Sequence, residues 1–466
     1  MRKRRHKPTK DIATIKATIV CICICICILI AIYLGGSAYF AKHFYFGSQI
    51  NGINVGGATV EDAKELLASK ILQYKLELEL RDDKKEEIKG DSIELTYDPK
   101  DKIENLKSDQ KAFSWPKSIF SKSHSTLNDI VTFNEDLLDK QLDNLSCVKE
   151  NIINPKNPSF EYTNNGYKVL PEVKGNKIKK EVFSDVVKNA VINGEAKINL
   201  EEMNCYENPK FTLDSKEVSE AKDLLDKYSK LEITYDFEDS KEVLDGSTIH
   251  NWLYVNDDME VMISEKNANQ YIYSLASKYN TFSKTREFHT SLGETVNVDG
   301  GNYGWIIDKQ AEANALIETI KKGESVTKEP AYSQTAISRG KNDIGDTYLE
   351  INFAKQHVWY YKEGQLIADG DVVTGNVSNN WGTPVGTYRL NYIERNATLK
   401  GENYSSPVNY WMPFNGNIGL HDATWRTEFG GQIYLANGSH GCINAPYELA
   451  QKIFENIKAG TPVVCY

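Results

Sequence analysis

The first strong pattern in the chain is an uncharged apolar stretch from Ala17 to Phe40. Within it, the run from Cys21 to Cys27 alternates Cys with Ile, a period-2 pattern typical of a β-strand. Length favours a helix instead, because 24 residues at 1.5 Å per residue span about 36 Å, enough to cross a hydrocarbon core of about 30 Å. A lone strand would also leave its backbone unpaired in lipid. The pattern therefore predicts one transmembrane helix over residues 17–40.

Basic residues before this stretch predict its orientation. Residues 1–16 carry seven Lys and Arg residues against the single Asp11, which leaves a net charge of +6. Such residues keep their side of a membrane span in the cytoplasm. We therefore expect a cytoplasmic tail at 1–16, a single-pass anchor in the cell membrane, and an extracellular remainder. A cleaved signal peptide is the alternative, with Gly35 to Ala38 as a weak cleavage cue.

The chain after the anchor contains a weak internal repeat. One copy runs over residues 133–194 and the other over residues 263–323. Each copy follows the order strand, helix, β-hairpin, helix. We therefore predict two α+β modules, at residues 45–208 and 209–335.

The remaining residues show a different pattern. Glu324 to Asp346 is polar and lacks apolar periodicity, so we expect residues 336–346 to be a linker. From residue 347 onward, short strand-like runs are separated by turns, and a helical run follows at Tyr447–Lys458. Residues 347–466 therefore indicate one mostly-β domain. The predicted fold class is multidomain: one transmembrane helix, two α+β modules and a C-terminal mostly-β domain.

Composition and charge narrow the expected partners. A chain of 466 residues is too long for one core, and 40% hydrophobic with 26% charged residues is typical of globular domains. The formal net charge of −10 leaves −16 on the body after the basic tail, which argues against nucleic acid. Four of the eight cysteines lie in the apolar stretch. The others are too sparse for a disulfide framework, and one Cys147–Cys205 bridge stays open.

A segment near the C-terminus contains the residue types of a nucleophilic site. His421 is followed, after seventeen residues, by Ser439-His440-Gly441-Cys442-Ile443-Asn444. A thiol has a pKa of about 8.5, so it needs a neighbouring imidazole to act as a nucleophile at neutral pH. Gly441 allows a substrate to approach closely, and the backbone amides of residues 440–442 suit an oxyanion. The residues alone therefore predict a Cys/His acyl-transfer site.

Three alternatives to this site stay open from the residues alone. One is a structural zinc site built from His421, His440 and Cys442, although no C-x-x-C pair is present. The second is an inert buried cysteine beside two unrelated histidines. The third is a domain that kept its fold and lost its activity.

The spacing of these residues resembles the signature of the L,D-transpeptidase (YkuD-type) catalytic domain. The stretches Val373-Thr374-Gly375 and Thr383-Pro384-Val385-Gly386-Thr387-Tyr388 are also similar to the strands that precede the site in that family. The likeness covers residues 345–466. It implies that Cys442 is the nucleophile and that His421 is the general base and acid.

The resemblance also implies roles for the neighbouring residues. The backbone carbonyl of Asp422 orients the His421 ring, and the charge of Asp422 is expected to raise the pKa of that ring. The amides of His440, Gly441 and Cys442 form the oxyanion pocket. Ser439 and Asn444 shape the site and contact the substrate.

His440 is an alternative general base, because on a strand residues i and i+2 share a face and would bring it beside Cys442. The family pattern gives this role to His421, and we follow it. Several aromatic residues are candidates for the substrate trough, Trp425 and Tyr404 foremost. The wider set is Trp381, Tyr404, Tyr410, Trp411 and Trp425.

The implied reaction is a 3→3 cross-linking of peptidoglycan stem peptides through a thioester on Cys442. Neither a metal nor an organic cofactor is implied, and acylation by carbapenems is expected. Hydrolysis or exchange at the same site, which would make the chain an L,D-carboxypeptidase, is one alternative. A non-catalytic wall-binding protein and a sortase-like or other cysteine peptidase are the others.

The repeat modules resemble the peptidoglycan-binding domains found beside Gram-positive cell-wall enzymes. The cues are Asn51-Gly52 with Val55-Gly56-Gly57, and Tyr303-Gly304-Trp305. The likeness covers roughly residues 45–335. A spacer that binds nothing is the alternative.

Overall fold

The computed structural model describes residues 10–127, 130–340, 342–401 and 404–466, and the side chains of residues 10–13 and Tyr404 lie outside this description. The chain forms two compact units. The first comprises the residues up to Pro158 together with Pro171–Leu213. The second comprises Ser159–Leu170 and Asp214–Tyr466.

The N-terminal apolar stretch is a single helix, α1 (Lys10–Lys42). The Cys–Ile alternation is therefore helical, as its length predicts. Thr14–Lys42 is long and apolar enough to cross a membrane, the only such helix in the described part of the chain. The C-terminal end of α1 is built into the first unit, because Phe40 is buried and its carbonyl oxygen accepts a hydrogen bond from Lys107 Nζ at 2.9 Å.

The first unit continues with short helices and strands. Its helices after α1 are α2 (Val60–Ile71), α3 (Lys102–Asp109), α4 (Glu135–Asn144), α5 (Ser146–Lys149) and α6 (Lys180–Asn193). Its first seven strands are β1 (Ser48–Ile50), β2 (Ile53–Asn54), β3 (Lys75–Glu79), β4 (Lys85–Lys89), β5 (Thr96–Tyr97), β6 (Ser123–Ser125) and β7 (Val131–Thr132). The hairpin of β8 (Ser159–Thr163) and β9 (Gly166–Leu170) belongs to the second unit, and β10 (Lys197–Asn199) returns to the first. Three 3-10 helices cover Arg81–Asp83, Asp91–Ile93 and Ala112–Ile119.

Two three-stranded sheets organise the first unit. Their strand orders are β2–β1–β6 and β10–β3–β4, and β5 pairs with β7. The main core places Leu76 and Ile88 of the second sheet against Phe183 and Val187 of α6. Alternate side chains of β3 and i, i+4 side chains of α6 supply this apolar layer, which is how each element buries one face.

The second unit begins with a module of the same kind. Its helices are α7 (Lys216–Tyr228), α8 (Gly246–Ile249), α9 (Glu265–Tyr279) and α10 (Lys309–Lys322), with a 3-10 helix at His250–Trp252. Its strands are β11 (Glu232–Asp236), β12 (Lys241–Asp245), β13 (Leu253–Val255), β14 (Val261–Ile263), β15 (Arg286–His289), β16 (Thr295–Val298), β17 (Ile306–Ile307), β18 (Val326–Lys328) and β19 (Tyr332–Gln334). The sheet β12–β11–β18 matches β4–β3–β10 in strand order.

The predicted repeat is confirmed element by element. The first copy contains β7, α4, the β8–β9 hairpin and α6, and the second contains β14, α9, the β15–β16 hairpin and α10. Two α+β modules therefore follow α1, as the fold class predicts.

The C-terminal region is mostly β, also as predicted. Its strands are β20 (Tyr348–Asn352), β21 (His357–Lys362), β22 (Gln365–Asp371), β23 (Gly386–Arg389), β24 (Glu394–Gly401), β25 (Tyr404–Asn415), β26 (Ile418–Asp422), β27 (Ile443–Ala445) and β28 (Pro462–Cys465). Two short helices, α11 (Ile433–Asn437) and α12 (Tyr447–Phe454), accompany them. The strands form a five-stranded sheet, β22–β21–β20–β28–β23, and a four-stranded sheet, β24–β25–β26–β27. Leu349 and Val463 of the first sheet share one core with Met412 and Leu420 of the second.

The expected linker at residues 336–346 has no helix or strand in its described residues, and part of it is buried. Asp343 and Ile344 are buried, and the Asp343 carboxylate receives Nε and Nη2 of Arg286, each at 2.7 Å. The Tyr303 hydroxyl also donates to the Asp343 carbonyl at 2.9 Å. The segment supplies the acidic partner of a buried ion pair with Arg286. Replacing either partner alone would leave the other charge buried and unpaired.

Candidate active site

Cys442 lies at the end of a tight loop that leads into β27. The Ser439 hydroxyl accepts the Gly441 amide at 3.0 Å and donates to the Cys442 carbonyl at 2.6 Å. Gly441 has a φ of +119°, a conformation that a residue with a Cβ rarely adopts. One serine hydroxyl and one glycine therefore fix the backbone on which the thiol is carried.

A second hydroxyl holds this loop from the other side. Thr383 Oγ1 donates to the Gly441 carbonyl at 2.8 Å and accepts the Gly375 amide at 3.0 Å. A Cβ on Gly375 would lie 1.9 Å from the Trp381 carbonyl oxygen, so the three backbone segments meet too closely for a side chain. The two stretches that resemble the family ahead of the site therefore support the nucleophile loop.

The Cys442 thiol is held in a neutral environment. The side chain is half-buried, and its sulfur donates to the Asn417 carbonyl at 3.4 Å. Burial raises the pKa of the Cys442 thiol to about 11, although the Gly419 amide, which donates to the sulfur, acts in the opposite direction. A thiolate at this position would lie against the partial negative charge of the Asn417 carbonyl oxygen, which would disfavour it. The resting group at neutral pH is therefore the thiol.

His421 is buried on β26 and is fixed at both ring nitrogens. Its Nδ1 lies 2.9 Å from the Asp422 carbonyl oxygen, which can only accept, so Nδ1 carries the proton. Strands β26 and β27 run parallel with His421 beside Asn444, and the Asn444 side-chain amide donates to Nε2 at 3.1 Å. The imidazole is therefore neutral, with its lone pair on Nε2.

Arg426 fixes the orientation of Asn444. Its Nε lies 2.9 Å from Asn444 Oδ1, and because a guanidinium only donates, the amide NH₂ of Asn444 must turn toward His421. Protonating Nε2 would set two donors against each other. Burial lowers the pKa of His421, the Asp422 backbone hydrogen bond and charge partly oppose this, and the Arg426 charge adds to the lowering. The pattern of residues gave no sign of Arg426.

The Asp422 charge raises the pKa of His421, as expected, but the pKa as a whole lies below its ordinary value. Asp422 acts in that direction, but desolvation of the ring outweighs it. The Asp422 carboxylate is itself buried and accepts the amides of Asn409 and Tyr410, each at 2.8 Å. Backbone amides of β25 therefore stabilise the Asp422 carboxylate, while the Asp422 backbone carbonyl accepts the hydrogen bond from the His421 ring.

His440 occupies a different setting from His421. It is exposed, and its ring stacks on Trp381 with centroids 4.1 Å apart and an interplanar angle of 25°. Among the described residues, no group of three or more His, Cys, Asp or Glu side chains is placed to hold a metal ion. The zinc alternative built from His421, His440 and Cys442 therefore finds no assembled ligand set.

A cavity of about 230 Å³ brings the predicted residues together. It is lined by Leu399, Ser406, His421, Trp425, Arg426, Gly438, Ser439, His440, Cys442 and Asn444. Of the aromatic trough candidates, Trp425 lines it, and its ring centroid lies 5.8 Å from that of His421. Tyr410 and Trp411 are buried, and the Trp411 ring centroid also lies 5.8 Å from that of His421. The Tyr404 side chain lies outside the described residues.

The pKa of the thiol predicts the pH dependence of its alkylation. With a pKa of about 11, the thiolate fraction at pH 7 is roughly 10⁻⁴ and rises about tenfold per pH unit. Iodoacetamide labelling of the Cys442 peptide in the full-length protein, followed by mass spectrometry from pH 6 to 10, should show this rise without a plateau. A plateau below pH 8 would instead indicate a preformed thiolate–imidazolium pair. Peptides with the other cysteines serve as internal references.

Comparison with known proteins gives matches for two kinds of domain. Residues 346–465 match the L,D-transpeptidase catalytic domain (YkuD). Residues 87–199 and 211–328 each match a domain described as peptidoglycan binding. No curated protein matches the chain.

Solved structures similar to the chain include L,D-transpeptidases. The Ldtfm–avibactam carbamoyl enzyme is 34% identical, over 53% of this chain and 98% of its own, with a TM-score of 0.47. A Cys-to-Ser mutant of the Enterococcus faecium L,D-transpeptidase is 34% identical, over 52% of this chain and 98% of its own, with a TM-score of 0.46. The Enterococcus faecium catalytic domain acylated by ertapenem is 41% identical, over 26% of this chain and 97% of its own, with a TM-score of 0.24.

Proposed function

The chain belongs to the L,D-transpeptidase family, and from that premise we propose that it forms 3→3 peptidoglycan cross-links through a thioester on Cys442. The observation that carries the proposal is that a half-buried thiol and a neutral, Nδ1-protonated His421 line the same cavity. An inert cysteine would have no need of an imidazole whose basic nitrogen is held in a defined direction.

In the acylation step, Cys442 Sγ attacks the carbonyl carbon that joins the third, diamino residue of a tetrapeptide stem to its terminal D-Ala. As the substrate binds, the Asn444 amide gives up its hydrogen bond to His421 Nε2. The thiol proton then passes to Nε2. The C–N bond then breaks, and His421 returns the proton to the leaving amine of D-Ala. The bond balance leaves a thioester on Cys442 and free D-Ala.

The resting electrostatics explain why proton transfer accompanies attack. Burial raises the pKa of the thiol and lowers that of the imidazole, so the ion pair is unfavourable before substrate arrives. As the sulfur–carbon bond forms, negative charge moves from sulfur to the carbonyl oxygen, and the imidazolium is stabilised by its Nδ1 hydrogen bond to Asp422. Coupling the two events lowers the barrier more than a preformed thiolate would at this buried site.

The developing oxyanion is assigned to backbone amides of residues 440–442. The Gly441 amide donates to Ser439 Oγ at 3.0 Å. It can therefore stabilise the oxyanion only if it donates to Ser439 and to the oxyanion at once. The Cys442 amide and its neighbours in the loop are then the principal donors. Such donors are effective because Ser439 and Thr383 fix the loop that carries them.

The second step transfers the acyl group to an amine. The side-chain amine of a neighbouring stem attacks the thioester, His421 accepts its proton, and Cys442 leaves as the thiol. Water as acceptor would give the carboxypeptidase reaction at the same site. Carbapenems are proposed to acylate Cys442, because their strained carbonyl meets the same thiol and donors.

The proposed location is supported by α1 and by the repeat modules. We assign α1 as a single-pass anchor with residues 1–16 in the cytoplasm and the catalytic domain outside, facing the cell wall. The two modules that match peptidoglycan-binding domains are proposed to bind the polymer on which the catalytic domain acts.

Mass spectrometry of muropeptides tests the proposed reaction. The full-length protein in detergent is incubated with disaccharide-tetrapeptide as both donor and acceptor. Cross-linked dimers with 3→3 connectivity and free D-Ala are the expected products. Tripeptide without dimer would identify hydrolysis as the main reaction, and the absence of both products would overturn the proposal.

A further inference from the structure

The segment from Lys111 to Lys122 exposes a cluster of large apolar side chains. Its core is the 3-10 helix Ala112–Ile119. Phe113, Ile119 and Phe120 are 64%, 62% and 90% exposed. Soluble surfaces seldom gather three such side chains without a partner to cover them.

This segment has a fixed position against α1. The Trp115 ring covers Gly36, where an added Cβ would lie 2.5 Å from a ring atom. Trp115 Nε1 donates to the Tyr33 carbonyl at 3.1 Å, and the Tyr33 hydroxyl donates to the Phe113 carbonyl at 2.9 Å. The Trp115 ring also lies 5.7 Å from that of Phe40. The 3-10 helix is therefore held beside the last turns of α1.

These contacts set the depth of the segment if α1 crosses a bilayer. Lys16 to Lys42 spans about 39 Å at 1.5 Å per residue, close to the 40–45 Å of a bilayer with its headgroups. Gly36 lies about 9 Å before Lys42 on the same scale. Trp115 is thus at the border of headgroups and hydrocarbon, where Trp and Tyr side chains are favoured.

Cationic and hydroxyl groups accompany the apolar side chains. Lys111 and Lys117 are exposed, and both line a cavity of about 310 Å³ together with Ser114 and Ser118, while Asp109 adds one carboxylate. Ammonium and hydroxyl donors beside an apolar face are the composition of an element that lies in a membrane interface.

We propose that residues 111–122 dock onto the outer leaflet of the bilayer that α1 crosses. Phe113, Ile119 and Phe120 enter the acyl region, while Lys111 and Lys117 meet lipid phosphates. The inference rests on the proposed anchoring by α1. A lipid surface is favoured over a protein partner because the contacts of Trp115 with α1 place the segment at membrane level.

Quenching of tryptophan emission by lipids brominated high on the acyl chain tests the proposal. The full-length protein is reconstituted into such vesicles, and emission is compared with that in unbrominated vesicles. Trp115 is one of seven tryptophans, so brominated lipid should quench only the part of the wild-type emission that comes from one residue. The Trp115→Phe variant should show no such quenching. The matched control Trp359→Phe, a half-buried residue of β21, should leave the quenching unchanged.

A relocated probe keeps the test independent of the Trp115 contact. In Trp115→Phe with Phe120→Trp, the exposed position should restore quenching. Flotation of the vesicles and resistance to alkaline extraction report the anchor separately. Protein that fails to float refutes the anchoring on which the inference rests. Protein that floats while neither Trp115 nor the Trp at position 120 is quenched refutes the docking of residues 111–122 alone.

Discussion

Replacing Cys442 by Ala should lower the rate of 3→3 cross-linking by roughly 10⁴-fold or more, since Cys442 carries the only thiol among the described residues that line the cavity. The other lining residues offer hydroxyl, amide, imidazole and guanidinium groups but no second thiol. The assay is the rate of D-Ala release and dimer formation by the full-length protein.

A matched control separates this loss from misfolding. Cys147→Ala removes a half-buried thiol of the first unit and should leave the rate within about twofold of wild type. Thermal unfolding of Cys442→Ala should match that of the wild type, because the thiol is a weak hydrogen-bond donor and its removal leaves only a small space. Activity above a tenth of the wild-type value in Cys442→Ala would contradict the assignment.

His421→Ala should lower the same rate by about 10²–10⁴-fold, and His440→Ala by less than about tenfold. His421 is buried and presents its lone pair on Nε2 within the cavity, whereas His440 is exposed and stacks on Trp381. The loss in His421→Ala combines the missing base with an unsatisfied Asn444 amide. Rates of dimer formation, with carbapenem acylation as a second readout, measure both variants.

The comparison also distinguishes the two histidines as bases. His421→Gln keeps a polar side chain beside Asn444 and should be as inactive as His421→Ala, which excludes a purely structural cause. If His440→Ala alone abolished both cross-linking and acylation, the general base would be His440 and the role given to His421 would be wrong.

The fold was predictable where a single local pattern dominates. Uninterrupted apolar length outweighs the Cys–Ile alternation in α1, and the order of elements in the two repeats follows from local periodicity. The burial of Asp343 within residues 336–346 was not predictable in this way, because its partner is Arg286, 57 residues earlier. A buried acidic residue and a solvated one look alike until the distant cation is known.

The site shows the same division between local and distant information. The spacing of His421 and Cys442 identifies two residues that share the cavity, and the resemblance names their roles. The residues that hold His421 and the Cys442 loop in place are distant from them in the sequence or act through a third residue. Arg426 acts on the ring through Asn444, and Thr383 holds the Gly441 carbonyl from 58 residues away. The protonation state of the thiol likewise depends on burial, which the spacing of residues does not reveal.

Intact-protein and peptide mass spectrometry after a rapid acid quench test whether Cys442 carries the acyl group. The full-length protein is mixed with an excess of disaccharide-tetrapeptide and quenched within one turnover. We predict an adduct equal to the substrate minus D-Ala, located on the Cys442 peptide and removed by hydroxylamine as a thioester would be. An adduct on another residue, or product formed with Cys442 unmodified throughout, would contradict the account.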